Sequence, residues 1–205
     1  MVKRRSEKAG YVGSSTTEAT KMGVSFNGRI ADSKPADKGS IPFAPANHKY
    51  NYMAIIIEAP NVFGIAIDRF SIFLAGSIAN GTAVNWQDKL SKNLSNLDIV
   101  ILNPRRKNWN PDADKTLIRK QITWEQEAIH ISNIVIFYFD PSKQSPISLL
   151  ELGQCLGSGK KVIVYCPPSY FRFDNIEVTC ARYNLKPHSD YQLFLTDIVC
   201  AISRL

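Results

Sequence analysis

The amino-acid sequence predicts an α/β domain in which a parallel sheet is covered by helices on both faces. Three observations lead there. From Ser71 onward, short apolar runs alternate with segments of helical period. The runs are continuously apolar rather than alternating, which means burial on both faces, as in parallel strands between helical layers. The unusual polar residues collect in the loops after the runs, where open α/β sheets bind their ligands.

The elements follow in order. Residues 1–50 are rich in Ser, Thr, Lys, Gly and Pro and show no helical or strand period. They offer too little apolar surface to offset the entropy of ordering, so they are predicted to be a basic, disordered tail, with 51–205 as the folded domain. Met53–Ile57 and Asn61–Phe70 add an edge strand or pack a loop on the domain. Ser71–Ala75 is a buried strand, followed by a helix from Thr82 to about Leu94. Leu97–Leu102 is the next strand, and a polar loop with two prolines leads to a helix over Leu117–Ser132. The buried side of that helix is marked by Ile118, Ile122, Trp124, Ala128 and Ile131. Ile134–Phe139, the helix Ser145–Gly157, the strand Lys161–Cys166 and the helices Asn175–Tyr183 and Tyr191–Ile202 complete the chain. Four or five such strands imply a doubly wound sheet of flavodoxin-like (Rossmann-type) order. Its ligand-facing loops are Gly76–Gly81, Asn103–Asp114, Asp140–Ser145 and Pro167–Asp174.

Composition narrows the function. The 205 residues are 44% hydrophobic and 21% charged, ordinary for a globular protein with a sizeable core. No apolar run approaches the ~20 residues of a membrane-spanning helix. Of the net charge of +7, residues 1–50 carry +5, from nine Lys/Arg and four Asp/Glu. The body is nearly neutral, which argues against nucleic acid as a partner except through the tail. Cys155, Cys166, Cys180 and Cys200 have no CxxC spacing and read as buried free thiols. With no signal-peptide core, this implies a cytoplasmic location. Three scattered histidines give no metal motif, and no cofactor is expected.

The helix after the third main strand carries the most specific signal. In SPISLLELGQCLG, Ser145 can cap the helix and Pro146 suits its first position. Apolar residues surround most of it, and only Ser148, Glu151 and Gln154 form a polar line. That line is either a narrow solvent-facing stripe or a carboxylate held near the strand ends. Gly76 and Ser77 form a turn whose amides suit a phosphate or sugar hydroxyl, or are an ordinary βα connection. Asn103, Arg105 and Arg106 lie in a strand-end loop where two arginines could grip a 5′-phosphate; Trp109 could cover the site or stack on a base. Trp124 reads as core. Glu125 faces the strand ends only if its helix is rotated suitably, and His130 reads as a partly buried histidine.

AGSI after the first main strand, NPRR after the second, SPISLLELG after the third and GKKVIVYCP together resemble the nucleoside 2-deoxyribosyltransferases over roughly residues 71–185. LLELG in this position is fairly specific; GSI and NPRR alone are weak. In that family the glutamate of the ELG motif is the nucleophile, and the matching position is Glu151. The resemblance implies a nucleoside or nucleotide substrate, a free nucleobase as second partner, and a homo-oligomer whose pockets are shared, with Asp174 or Asn175 reaching a neighbour's site. Two positions depart from the family's aspartates: Asn133 before the third main strand and Ser145 six residues ahead of the nucleophile. Asn133 can bind a base edge but cannot donate a carboxylic proton, and Asp140 is a nearby alternative acid. Three activities stay open: a transferase exchanging bases, an N-glycosidase releasing the base from a 5′-monophosphate, and a non-catalytic nucleotide-binding module.

Overall fold

The computed structural model describes residues 53–64, 68–107 and 114–204. The predicted tail, 1–50, and Trp109 lie outside the described residues. Five strands form one parallel sheet: β1 (Ile55–Glu58), β2 (Ser71–Gly76), β3 (Val100–Asn103), β4 (Ile134–Tyr138) and β5 (Val162–Tyr165), in the order β1-β3-β2-β4-β5. Counted from β2, the inner order is 2-1-3-4, as in flavodoxin-like sheets. β1 is an additional edge strand, paired with β3 from Ile55–Val100 to Glu58–Asn103.

The helices divide between the faces. α1 (Trp86–Asn93) and α5 (Tyr191–Ser203) bury Trp86, Leu90, Phe194 and Ile198 against one side of the sheet. α2 (Lys115–Ile131), α3 (Pro146–Gly157) and α4 (Phe173–Arg182) cover the other side with Trp124, Ala128, Leu152, Cys155 and Ile176. β2–β4 are almost wholly buried, as their continuous apolar runs require. No described helix is long and apolar enough to cross a membrane.

Two helical faces differ from the pattern read in the sequence. On α2 the buried positions are Gln121, Trp124, Ala128 and Ile129, while Ile122 is 51% exposed. On α3 two of the three polar residues face inward: Ser148 and Glu151 are buried with Leu152, Cys155 and Leu156, whereas Gln154, Ile147 and Leu150 are exposed. The solvent-facing alternative for Glu151 is therefore excluded by the direction of the helix.

The chain leaves β2 first toward β3 and later crosses to β4, so the switch point lies at the carboxyl ends of β2 and β4. There the two backbones close tightly. Gly76 has φ +141°, and a Cβ on it would lie 2.3 Å from the Tyr138 carbonyl oxygen. Gly76→Ala is accordingly expected to lower unfolding stability in urea by at least about 2 kcal/mol, because both the backbone angle and the strand contact must yield.

Candidate active site

Three loops and two helices meet around the switch point. The Ser77 N–H donates to the Tyr138 carbonyl at 2.9 Å, and the Ser77 carbonyl accepts from Trp86 Nε1 at 3.0 Å. Its hydroxyl accepts from the Asp140 N–H at 2.9 Å and lies 2.5 Å from Ser145 Oγ. Ser77 is fully buried, and every polar group it has ties β2 to β4, α1 or α3. It braces the crevice; its hydroxyl is committed before any phosphate arrives.

Ser145 stands at the N-cap of α3 with φ +50°, a left-handed conformation costing a non-glycine roughly 1 kcal/mol. The expected side-chain cap is not made, because the hydroxyl is turned to Ser77. The Tyr170 hydroxyl donates to the Gln144 carbonyl and fixes the same turn from the β5 side.

Asp140 is 4% exposed and accepts from the Ser142 N–H (2.9 Å), the Ser142 hydroxyl (2.8 Å) and the Val84 N–H (3.3 Å). Burial pushes its carboxyl up, but these hydrogen bonds together with Lys143 hold it below the ordinary value. A carboxylate so held is a loop anchor and a poor proton donor at neutral pH.

Arg105 serves the neighbouring loop. Its Nη1 donates to the Val84 carbonyl (3.1 Å) and Gln87 Oε1 (3.3 Å); its Nη2 donates to the Gly81 (2.8 Å) and Ala83 (3.0 Å) carbonyls. The guanidinium expected to meet a phosphate thus staples the β2–α1 loop. Asn103 Oδ1 accepts from the Arg105 N–H at 3.0 Å and shapes the turn below it. Asn133 is placed elsewhere. It precedes β4, at the amino edge of the sheet, where its Oδ1 accepts from the Ser71 N–H at 2.7 Å. A strand's length separates it from the crevice, so the sheet's polarity removes it from base recognition. Asn175 lies in the first turn of α4 and lines an exposed groove of about 380 Å³ with Leu149, Leu152, Gly153, Arg172 and Ile176.

Glu151 occupies the second turn of α3 and is 5% exposed. Among the described residues its carboxyl has no hydrogen-bond partner, and the charge that acts on it is that of Glu125 on α2. Burial foremost, and the Glu125 charge second, push the Glu151 carboxyl up to about 8. Glu125 is also pushed up by burial, but the Gln121 amide and the Arg106 charge oppose the rise. Gln121 Nε2 donates to Glu125 Oε1 at 2.8 Å. Two carboxyls that feel each other's charge thus have unequal support, the kind of pair in which one can act as acid while the other acts as base or nucleophile.

Residues 69–170, from the start of β2 to the segment after β5, match the family described as nucleoside 2-deoxyribosyltransferase like. The chain belongs to that family. No curated protein matches it in sequence. A solved structure, a conserved protein from Enterococcus faecalis V583, is 16% identical over 67% of this chain and 99% of that one, with a TM-score of 0.49.

The part matched to the nucleoside 2-deoxyribosyltransferase-like family holds both carboxylates, Ser77, Arg105, Asp140 and Ser145, but not Asn175. Glu125 gains weight only from the structure. Its signal in the sequence is the helical spacing of Gln121, Trp124, Glu125, Ala128 and Ile129, which sets two polar residues within an otherwise apolar stripe.

The raised Glu151 carboxyl has a consequence for stability. It is protonated when folded and ionised when unfolded, over the span between its ordinary value of 4.5 and about 8. Its contribution is therefore fully present below pH ~4.5 and lost as pH rises toward and through 8. Glu151→Gln is expected to raise stability by on the order of 2 kcal/mol at pH 9, with the gain shrinking toward pH 5, in denaturation curves taken across that range.

Proposed function

We propose that this chain cleaves the N-glycosidic bond of a nucleoside through a glycosyl-Glu151 intermediate and transfers the sugar to another base. The observation that carries the reading is Glu151 itself, buried, without a hydrogen-bond partner among the described residues, and set beside Glu125. An anion there is costly in the free protein and is relieved by the positive character that develops at the anomeric carbon as the base departs. In the first step the Glu151 oxygen bonds to that carbon. The C–N bond breaks with its electron pair passing to the base, and Glu125 supplies the proton that the base nitrogen takes. In the second step an incoming base loses its proton to Glu125 as its nitrogen displaces the Glu151 carboxylate from the opposite face. Two displacements give retention.

The hydrolase acting on a 5′-monophosphate receives less support. Its phosphate anchors were to be Ser77 and Arg105, and both spend their donors on the protein's own loops. We further propose a homo-oligomer assembled through the α3–α4 face, where Ile147, Leu150, Phe171 and Val178 are 60, 67, 52 and 69% exposed. The four free cysteines accord with a cytoplasmic setting.

Chromatography of nucleosides and 5′-monophosphates, each with and without a second base, tests the activity. New nucleoside formed only with acceptor, and lost by at least about 10³-fold in Glu151→Ala, is the expected result. Release of base from monophosphates alone would favour the hydrolase. Binding without any turnover would leave a nucleotide-binding module. For the assembly, Leu150→Glu is expected to lower the sedimenting mass of the full chain; a wild-type monomer would overturn the oligomer.

A further inference from the structure

Gln121 is a second polar residue on the buried stripe of α2, 7% exposed, and the reaction above does not use it. Its amide nitrogen donates twice, to the Pro104 carbonyl at 2.9 Å and to Glu125 Oε1 at 2.8 Å. Both partners are acceptors, so turning the amide over would set oxygen against oxygen at each end. Its own Oε1 is buried without a hydrogen-bond partner. A leucine or methionine would fill the same space without that desolvation cost. The residue is therefore better accounted for by what its nitrogen does than by packing.

The groups around the pair are few. α2 presents Glu125 and Gln121, the loop after β3 presents Arg106, and α3 presents Glu151 and Cys155. The strands beneath contribute Phe73, Ala75, Phe137 and Phe139. α4 offers Arg172 to the outer groove with Leu149 and Gly153. Among the described residues, Gln121 and Arg106 favour a negative charge on Glu125.

We propose that Gln121 is a positioning residue that assigns the single proton of the carboxylate pair. Its amide, fixed by Pro104, holds Glu125 ionised and so leaves the proton on Glu151 in the free protein. The inference rests on the reading of Glu151 and Glu125 as the reacting groups. The nucleophile is then capped by its own proton until substrate binds. As the sugar carbon gains positive character, the Glu151 O–H bond breaks, the proton passes to Glu125, and the freed carboxylate attacks. Glu125 afterwards gives that same proton to the departing base, so one proton serves the whole step. An acid kept strong by the Gln121 hydrogen bond is also the better donor.

The test uses the full chain with 13C-carboxyl-labelled glutamate, titrated by NMR, with Glu125→Gln and Glu151→Gln to assign the two signals. In the wild type the Glu125 carbon is expected to follow the lower of two steps and the Glu151 carbon the upper. In Gln121→Met the Glu125 curve moves up and the Glu151 curve moves down. The acid limb of the pH–rate profile then shifts upward by about one unit, roughly tenfold in kcat/KM at fixed pH on that limb. Gln121→Leu, which also removes the donor without adding a charge, repeats the direction should the methionine variant fold poorly. In a Glu125→Gln background, Gln121→Met leaves the Glu151 curve where it was. Unmoved curves in folded Gln121 variants overturn the proposal, as does an equal shift when Glu125 is already neutral. Turnover bears separately on the proposed function: shifted titrations without any turnover would retire the transferase and leave the assignment of the proton standing.

Discussion

An ionised carboxyl removed from water and left without a hydrogen bond costs several kcal/mol, and two such carboxyls in contact cannot both ionise near neutral pH. Burial and the neighbouring Glu125 charge disfavour an anion at Glu151, and that constraint sets the character of the site. Glu151 comes from a helix whose neighbouring side chains are Leu152 and Cys155; Glu125 comes from one that also brings Gln121. The asymmetry lies in the second helix. Glu125 is given a donor and the Arg106 charge, while Glu151 has burial and the Glu125 charge set against its ionisation.

A pair of this kind works only if the helices that carry it do not move, and much of the polar chemistry at the strand ends serves that end. Ser77 joins β2, β4, α1 and the start of α3 through one side chain and one peptide unit. Asp140 and Arg105 hold the β2–α1 loop from opposite sides, one taking the Val84 N–H and the other the carbonyls of Gly81, Ala83 and Val84. The close approach at Gly76 makes the β2–β4 seam narrow enough for these bonds. Residue types that would suit a phosphate site are here parts of a frame.

The fold was legible because its strands are uninterrupted apolar runs, whose burial on both sides leaves one architecture. The site was legible in part. Spacing showed that Ser148 and Glu151 share a line on α3, but apolar residues flank the line on either side, so spacing alone left its direction open. Only the sheet beneath decides that the line points in. On α2, of the residues read as the buried side, Trp124 and Ala128 are buried and Ile122 is not, while Gln121 and Ile129 complete the buried stripe. Hydrophobicity favoured the wrong weighting because Gln121 and Glu125 occupy the buried stripe. Asn133 was drawn toward the site by its nearness to β4 in sequence; a parallel sheet sends the start of a strand to the far edge. Hydroxyls and guanidinium groups carry no mark in sequence that separates a brace from a ligand contact.

α3 buries Leu152, Cys155 and Leu156 as an amphipathic helix should, but departs from the rule at four positions. It turns Ser148 and Glu151 to the interior and leaves Ile147 and Leu150 in water. Turning the helix by half a turn would bury Ile147 and Leu150 and hydrate the Glu151 carboxyl, but it would expose Leu152, Cys155 and Leu156, which hold the observed rotation. Pro146, the left-handed Ser145 and the Ser77–Ser145 contact oppose that rotation at the helix start. At the other end Gln154 Nε2 donates to Gln126 Oε1 of α2 at 3.0 Å. A helix fixed in this rotation by its apolar residues and at both ends carries the Glu151 carboxyl inward and leaves Ile147 and Leu150 outward. The carboxylate pair and the apolar α3–α4 face are then two consequences of one choice of helix rotation.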